Sequence, residues 1–383
     1  MKKIHCLNPI AKCGTELFPA GYEMTDKAAD ADAVLVRSAS MHDMELPENL
    51  LAVGRAGAGV NNIPLDSCAQ KGIVVFNTPG ANANGVKELV IAGMLMASRD
   101  IVGGIEWCKA NAEDDNITKD TEKSKKAFAG CEIKGKKLGV IGLGAIGAEV
   151  ANIAIDLGMD VYGYDPYVSV GAAWRISSAV HHVTNLDDIF RTCDYMTIHV
   201  PAMEGTIGMI DERACSLMKD GAVFLNFSRD TLVDNAAMAA ALDSGKVHAY
   251  ITDFATPEVM KMERAIVLPH LGASTAEAED NCAMMAVREL MDYLENGNIA
   301  NSVNYPACDM GPVPDGLRRV AVLHANVPNA IARITNVFGD AGVNIENMMN
   351  KALDLDAGTP GHPDDAIERL SAIEGVRRVR VVK

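Results

Sequence analysis

The chain has 383 residues, room for two or three domains at about 150 residues each, and its 49% apolar content suffices to build cores without disulfide or metal staples. Thirty-five basic residues against 51 acidic ones leave a net charge of −16, which argues against nucleic acid or an anionic membrane as partner but leaves room for a small anion held by a local arginine. No apolar run of about 18 residues could span a membrane, no signal-peptide pattern is visible, and the nine cysteines form no CxxC pair, so a cytoplasmic protein with reduced thiols is expected.

Ala33–Arg37, Leu51–Arg55 and Ile73–Asn77 read as buried strands, rich in β-branched residues and closed by polar or Gly/Pro signals. Helical-period stretches separate them, and this alternation predicts a mostly parallel sheet. Val86–Ser98 is apolar nearly all round and reads as a buried helix, between domains or subunits. Glu113–Lys126 is charge-dominated and reads as a solvated helix or loop. A second α/β run extends from Lys136 to about Pro269, followed by a patterned helix over Ala276–Asn296. Pro306–Gly316 holds three prolines and two glycines in eleven positions and reads as a linker. The remaining segment predicts strand Arg318–His324, helix Ala330–Ala341, strand Val343–Met349, helix Pro363–Ile373 and strand Val376–Val382, a small α+β unit of split βαβ type.

The strand Lys137–Ile141 runs directly into Gly142–Leu143–Gly144–Ala145–Ile146–Gly147, and a helix continues from there. Between a strand and a helix this GxGxxG has a physical task. Gly142 permits the tight turn, Gly144 admits a pyrophosphate to the backbone, and Gly147 lets helix and strand pack closely. The helix N-terminus supplies free N–H groups and partial positive charge. The next strand, Asp160–Tyr164, ends at Asp165, placed to accept hydrogen bonds from ribose hydroxyls and to repel a 2′-phosphate, which favours NAD over NADP. Farther on, strands over Ala222–Phe227, Val247–Thr252 and Ala265–Leu268 precede Arg229, Glu258 and His270. Carboxyl strand ends line the ligand crevice of a doubly wound sheet, so the three can converge there. His270 can exchange the hydroxyl proton, Glu258 can orient it, and Arg229 can hold a carboxylate with its planar fork. That set suits a 2-hydroxy acid interconverted with its 2-keto acid.

The motifs Arg55–Ile63, Phe76–Leu89, Gly139–Gly147, His199–Thr206, Asn226–Asp234 and Leu268–Thr275 resemble, in order and spacing, the D-isomer-specific 2-hydroxyacid dehydrogenases over nearly the whole chain. The resemblance implies two Rossmann-like/flavodoxin-like doubly wound parallel-sheet α/β domains, one discontinuous, plus a small α+β unit that resembles an ACT regulatory domain. Residues 1–98 and 283–305 would form the substrate domain, 99–282 the NAD-binding domain, 306–316 a linker and 317–383 the ACT-like domain. It places Arg229, Glu258 and His270 in catalysis, and Thr78, Ala145, Ile146, Asp165, Thr206, Phe227, Asp253 and Ala273 with the three fingerprint glycines at NAD. Arg55, Ala58 and Gly59, with Arg229, would hold substrate, Arg55 being the candidate phosphate partner. His324, Asn326 and Asn344 match positions that bind L-serine as effector in serine-sensing relatives. The implied activity is NAD-dependent oxidation of 3-phospho-D-glycerate to 3-phosphohydroxypyruvate, opening L-serine biosynthesis, in a homodimer or homotetramer, with no metal. The alternatives are a glyoxylate or hydroxypyruvate reductase of the same family, or an NAD-responsive binding protein. The chain departs from the family pattern at Asp230 and Asn329, both usually Gly, at Asn61, usually Asp, and in a shortened hairpin after Asn350.

Overall fold

The computed structural model describes residues 1–325, 327, 329–350, 355–357, 363–373 and 375–382. The first apolar runs form a five-stranded parallel sheet of β1 (Lys2–Cys6), β2 (Tyr22–Met24), β3 (Ala33–Val36), β4 (Ala52–Arg55) and β5 (Val74–Phe76), in the order β2-β1-β3-β4-β5. Alternate residues serve two cores: Ala33 and Leu35 point to one face, Val34 and Val36 to the other. Burial on both faces explains why the central strands read as continuous apolar runs. β1 and β2 escape that pattern, since Ile4 is the one fully buried residue of β1 and β2 is a short edge.

The second unit covers residues 83–275. It begins with α1 (Ala83–Ser98) and continues through β6 (Lys137–Ile141), α2 (Ala145–Asp156), β7 (Asp160–Tyr164), β8 (His181–His182), β9 (Tyr195–Ile198), β10 (Ala222–Asn226), β11 (Val247–Thr252) and β12 (Ala265–Val267). The sheet is parallel in the order β12-β11-β10-β9-β6-β7-β8, so the chain leaves β6 toward β7 and later returns to β6's other side as β9. Val86, Val90, Met94 and Ala97 of α1 share a core with Leu225, Phe227 and Ile251. That shared burial groups α1 with this sheet, whereas the sequence reading set a boundary after residue 98. The charged stretch includes a helix, Ile117–Ser124, with no buried residue.

The chain then rejoins the first unit through α3 (Ala276–Asn296), whose Cys282, Ala286, Leu290 and Tyr293 pack on the first sheet beside Phe76. This places the return at residue 276 rather than 283. β13 (Arg318–His324), α4 (Ala330–Asp340), β14 (Leu355–Ala357), α5 (Pro363–Ser371) and β15 (Val376–Val381) complete it, with an antiparallel sheet ordered β14-β13-β15. The strand expected over Val343–Met349 is absent among the described residues. Val343 and Ile345 still pack against Val320, Ile334 and Phe338, but Asn344, Glu346, Asn347 and Met348 are exposed, and β14 takes the third place instead. Asn329 keeps a left-handed φ of +64°, the conformation for which the family's Gly is suited.

The proline-rich stretch 306–316 is fastened rather than loose. Cys308 bridges to Ile299, Asn298 holds Met310 N and Gly311 O, and Asn296 Oδ1 accepts from Val313 N. Leu323 of β13 is buried in the core of the first sheet. No described helix is long and apolar enough to cross a membrane.

Candidate active site

In the second unit the glycine-rich turn leaves β6 at the point where strand order reverses, the usual ligand position in doubly wound sheets. Gly142 has φ +90°, and a Cβ there would sit 2.6 Å from His199 O and 2.8 Å from Val200 Cγ1. A Cβ on Gly147 would fall 1.9 Å from Gly142 O, so helix and turn are in close contact. At Gly144 a Cβ would meet nothing within 4 Å. The turn is thus closed beneath and open above, where a pyrophosphate would approach, and no side chain caps the first turn of α2. Ala145 and Ile146 are partly exposed at that helix start, where the first N–H groups lack intrahelical acceptors. Asp165 Oδ2 accepts from Leu143 N at 2.9 Å and Oδ1 from Tyr167 N at 2.8 Å, which fixes the acid at the edge of the turn. Thr206 braces its own loop, donating to Pro201 O at 2.6 Å and accepting from Met203 N at 3.0 Å. Phe227 is buried in the core, so only its main chain can face a ligand. These features fit a dinucleotide.

His199 lies under the same turn. Its Nε2 is 2.9 Å from Thr197 Oγ1, and its Nδ1 is buried without a hydrogen-bond partner among the described residues. Burial pushes its pKa down to about 3, so it is neutral at physiological pH.

Arg229, Asp253 and His270 follow β10, β11 and β12. His270 Nδ1 lies 3.4 Å from Asp253 Oδ2, and the His270 ring packs at 5.2 Å on Phe254. His270 is 63% exposed while the Asp253 side chain is 1% exposed, so the imidazole faces outward with the carboxylate behind it. Burial pushes the Asp253 carboxyl up, and the charges of His270 and Arg229 pull it back toward ionisation. Arg229 is exposed, and its Nη1 donates to Ser228 O at 2.6 Å. Asn226 Nδ2 holds Arg229 O at 2.8 Å, which sets the turn that presents the guanidinium. Asp230 turns away to accept from Thr231 N at 2.9 Å.

Glu258 is not brought to His270 by any described contact. It opens the short turn Val259–Lys261, exposed, with hydrogen bonds from its own main chain and Thr256 holding its carboxyl below the ordinary range. The carboxylate behind the histidine is therefore Asp253, where the sequence pointed to Glu258. The physical reason is the register of the strand end. Asp253 leaves β11 directly opposite the 270–272 turn, while Glu258 is carried off by the Thr256–Lys261 turn. Gly85 was also missed: a Cβ there would lie 2.9 Å from Gly272 O, so the start of α1 packs directly on the histidine turn. A glycine immediately before the apolar helical run that starts at Val86 was the signal available for it. Ala273 lies on the same turn, partly exposed.

In the first unit, Arg55 ends β4 and folds across the turn that follows. A Cβ on Gly57, whose φ is +146°, would fall 1.3 Å from Arg55 Nη1. Gly57 O accepts from Thr78 N at 3.1 Å, and Asn77 Nδ2 donates to Ala58 O at 2.7 Å. Arg55, Ala58 and Gly59 thus share one braced turn, with Thr78 fully buried beneath it. Of the effector candidates, His324 is buried with Nδ1 2.9 Å from Ala325 O, Asn344 is exposed, and Asn326 lies outside the described residues.

A doubly wound sheet, a dinucleotide-type turn and an arginine, carboxylate and histidine at its strand ends define a nicotinamide-dependent dehydrogenase type of site. Residues 91–272 match the family described as D-isomer specific 2-hydroxyacid dehydrogenase, NAD binding domain. The chain is 32% identical over 342 residues to D-3-phosphoglycerate dehydrogenase of Haemophilus influenzae, covering 85% of this chain and 79% of that one. It is 35% identical over 297 residues to the enzyme of the same name from Archaeoglobus fulgidus, covering 75% of this chain but 54%, about half, of that longer relative. Among solved structures, NAD⁺-bound 3-phosphoglycerate dehydrogenase of Entamoeba histolytica matches with a TM-score of 0.63 and 28% identity, over 79% of this chain and 99% of that one. The chain belongs to the D-isomer specific 2-hydroxyacid dehydrogenase family, and its cofactor is NAD.

Proposed function

We propose that this protein oxidises 3-phospho-D-glycerate to 3-phosphohydroxypyruvate with NAD, the first step of L-serine biosynthesis. The observation that carries the reading is the pairing of exposed His270 with buried Asp253 beside Arg229, in a chain whose relatives bear the name D-3-phosphoglycerate dehydrogenase. When bound, the nicotinamide supplies the hydride acceptor for C2. His270 takes the proton from the 2-hydroxyl, and Asp253 at 3.4 Å orients the ring and offsets the positive charge it gains. Arg229 holds the substrate carboxylate. Arg55, with Ala58 and Gly59, binds the phosphate end. The cofactor is held by the turn Gly142–Gly147, Asp165, Thr206 and the main chain around Phe227 and Ala273. Glu258 remains a candidate second carboxylate five residues beyond Asp253.

The test is NAD reduction with 3-phospho-D-glycerate, D-glycerate and D-lactate in parallel. A strong preference for the phosphorylated acid is expected, and Arg55→Gln is expected to erase much of it. Preference for an unphosphorylated acid would move the protein to a sister activity. The same reading makes the protein a homo-oligomer with an ACT-like C-terminal unit and L-serine as effector. Light scattering and serine titration of the rate test these two points, and a monomer or an unchanged rate removes the corresponding one.

A further inference from the structure

Glu289 stands on the face of α3 that packs on the first sheet, and it is only 8% exposed. The proposed chemistry makes no use of it. Its Oε1 accepts a 2.6 Å hydrogen bond from Asn301 Nδ2, while Oε2 is buried with no hydrogen-bond partner among the described residues. A buried acid tied by one neutral donor is costly, and loss of that one bond would raise the cost further.

That bond leads somewhere specific. Asn301 belongs to a stretch laid along β5: Ser302 bridges to Phe76, and Asn304 Oδ1 accepts from Val75 N at 2.9 Å. Asn301 O accepts from Asn77 N at 3.2 Å, and Asn77 Nδ2 in turn donates to Ala58 O at 2.7 Å. Three successive hydrogen bonds thus connect the Glu289 carboxylate to the turn that carries Arg55, Ala58 and Gly59. Asn301 and Asn77 each use a side-chain amide on one side and the main chain on the other, so tilting either one shifts the next.

We propose that Glu289 is a positioning residue which, through Asn301 and Asn77, holds the Arg55–Gly59 turn in its substrate-binding conformation. The proposal rests on the reading that this turn binds substrate. Glu289 touches neither substrate nor cofactor, so its influence falls on substrate affinity and leaves the proton step at His270 alone. Burial pushes the carboxyl up to about 7, with the Asn301 bond opposing that rise, and an uncharged acid serves the same acceptor task through Oε1.

The test compares Glu289→Ala, Glu289→Gln, Asn77→Ala and the Glu289→Ala/Asn77→Ala double variant in the full chain. Glu289→Ala is expected to raise KM for 3-phospho-D-glycerate about tenfold, the scale of one hydrogen bond to a charged group, with kcat within about twofold. Glu289→Gln keeps an acceptor in place and is expected to restore KM to within about threefold of the parent. The double variant is expected to be no worse than the worse single, because both changes cut one chain. Amide hydrogen exchange over residues 55–59 is read on the same proteins without turnover, and it is expected to quicken in the alanine variants and not in Glu289→Gln. Unchanged exchange and KM in a folded Glu289→Ala, additive effects in the double variant, or a glutamine variant as impaired as alanine would each overturn the proposal. If Glu289→Ala does not fold, Asn77→Ala must still show faster exchange over 55–59, and failure there overturns it too. Quickened exchange without any change in KM would instead strike the reading that this turn binds substrate.

Discussion

At the carboxyl ends of β10, β11 and β12 the second unit presents ionisable side chains, Arg229, Asp253 and His270, two of them exposed. At the carboxyl ends of β4 and β5 the first unit presents a turn whose main chain is tied down by Asn77 and Thr78, with one arginine folded across a glycine. Both sheets are parallel and buried on both faces, so the scaffold is the same. What differs is whether the strand end delivers exposed ionisable side chains or a braced main chain. In the proposed function, proton exchange needs the former, and recognition of a small acid is served by the latter.

The sharpest test of that division is His270→Ala, which should lower kcat by about two to four powers of ten with NAD binding intact. A rate near that of the parent would remove the proton step from the second unit. Asp253→Asn should cost about tenfold to a hundredfold in kcat by leaving the imidazole unoriented, and Glu258→Gln less than about threefold. Equal losses in the two would return the orienting role to Glu258. In the first unit, Gly57→Ala should act on affinity instead, raising KM about tenfold with kcat little changed, because a left-handed φ and the overlying Arg55 both resist a Cβ. A fall in kcat without a rise in KM would blur the comparison.

The smallest effect concerns stability. His199 has a folded pKa near 3 against an ordinary 6.5, so the folded state resists a proton that the unfolded chain accepts. Stability of the second unit should therefore hold above pH 6.5 and fall steadily as pH drops from there toward 3. His199→Asn should flatten the Tm-versus-pH curve in that window. An unaltered curve would show that another group dominates acid unfolding.

The second unit was the more legible of the two. GLGAIG between a strand and a helix, and polar residues at three strand ends, can be located from local spacing alone. The histidine's partner was less legible. Both Asp253 and Glu258 follow β11, and only three-dimensional register decides which one faces the imidazole. β1 and β2 were missed because an edge of the sheet lacks the apolar run that marks its centre. The strand expected over Val343–Met349 failed for the converse reason: Val343 and Ile345 alternate correctly for one turn of pleat, and the polar residues around Met348 give it nothing to continue on. The Glu289 chain was invisible because its two halves, Glu289 with Asn301 and Asn77 with Ala58, lie more than two hundred residues apart in sequence, and no periodicity links them.

The C-terminal end of α3 has a consequence beyond catalysis. Its last carbonyl groups are met by three cations: Lys2 Nζ reaches Leu294 O at 2.5 Å, Arg319 Nη1 reaches Asn296 O at 2.7 Å, and Arg380, stacked 4.3 Å over the Tyr293 ring, donates to Tyr293 O. Lys2 lies in β1, Arg319 in β13 and Arg380 in β15, so the first and last strands close on one helix end. Arg378 adds hydrogen bonds to Leu50 O and Glu48 O. A domain inventory would treat the antiparallel sheet as a detachable module. Cutting the chain at residue 316 would instead strip two of the three cations from the helix dipole and open the core at Leu323. The sheet is thus packed into the first unit and not merely appended to it.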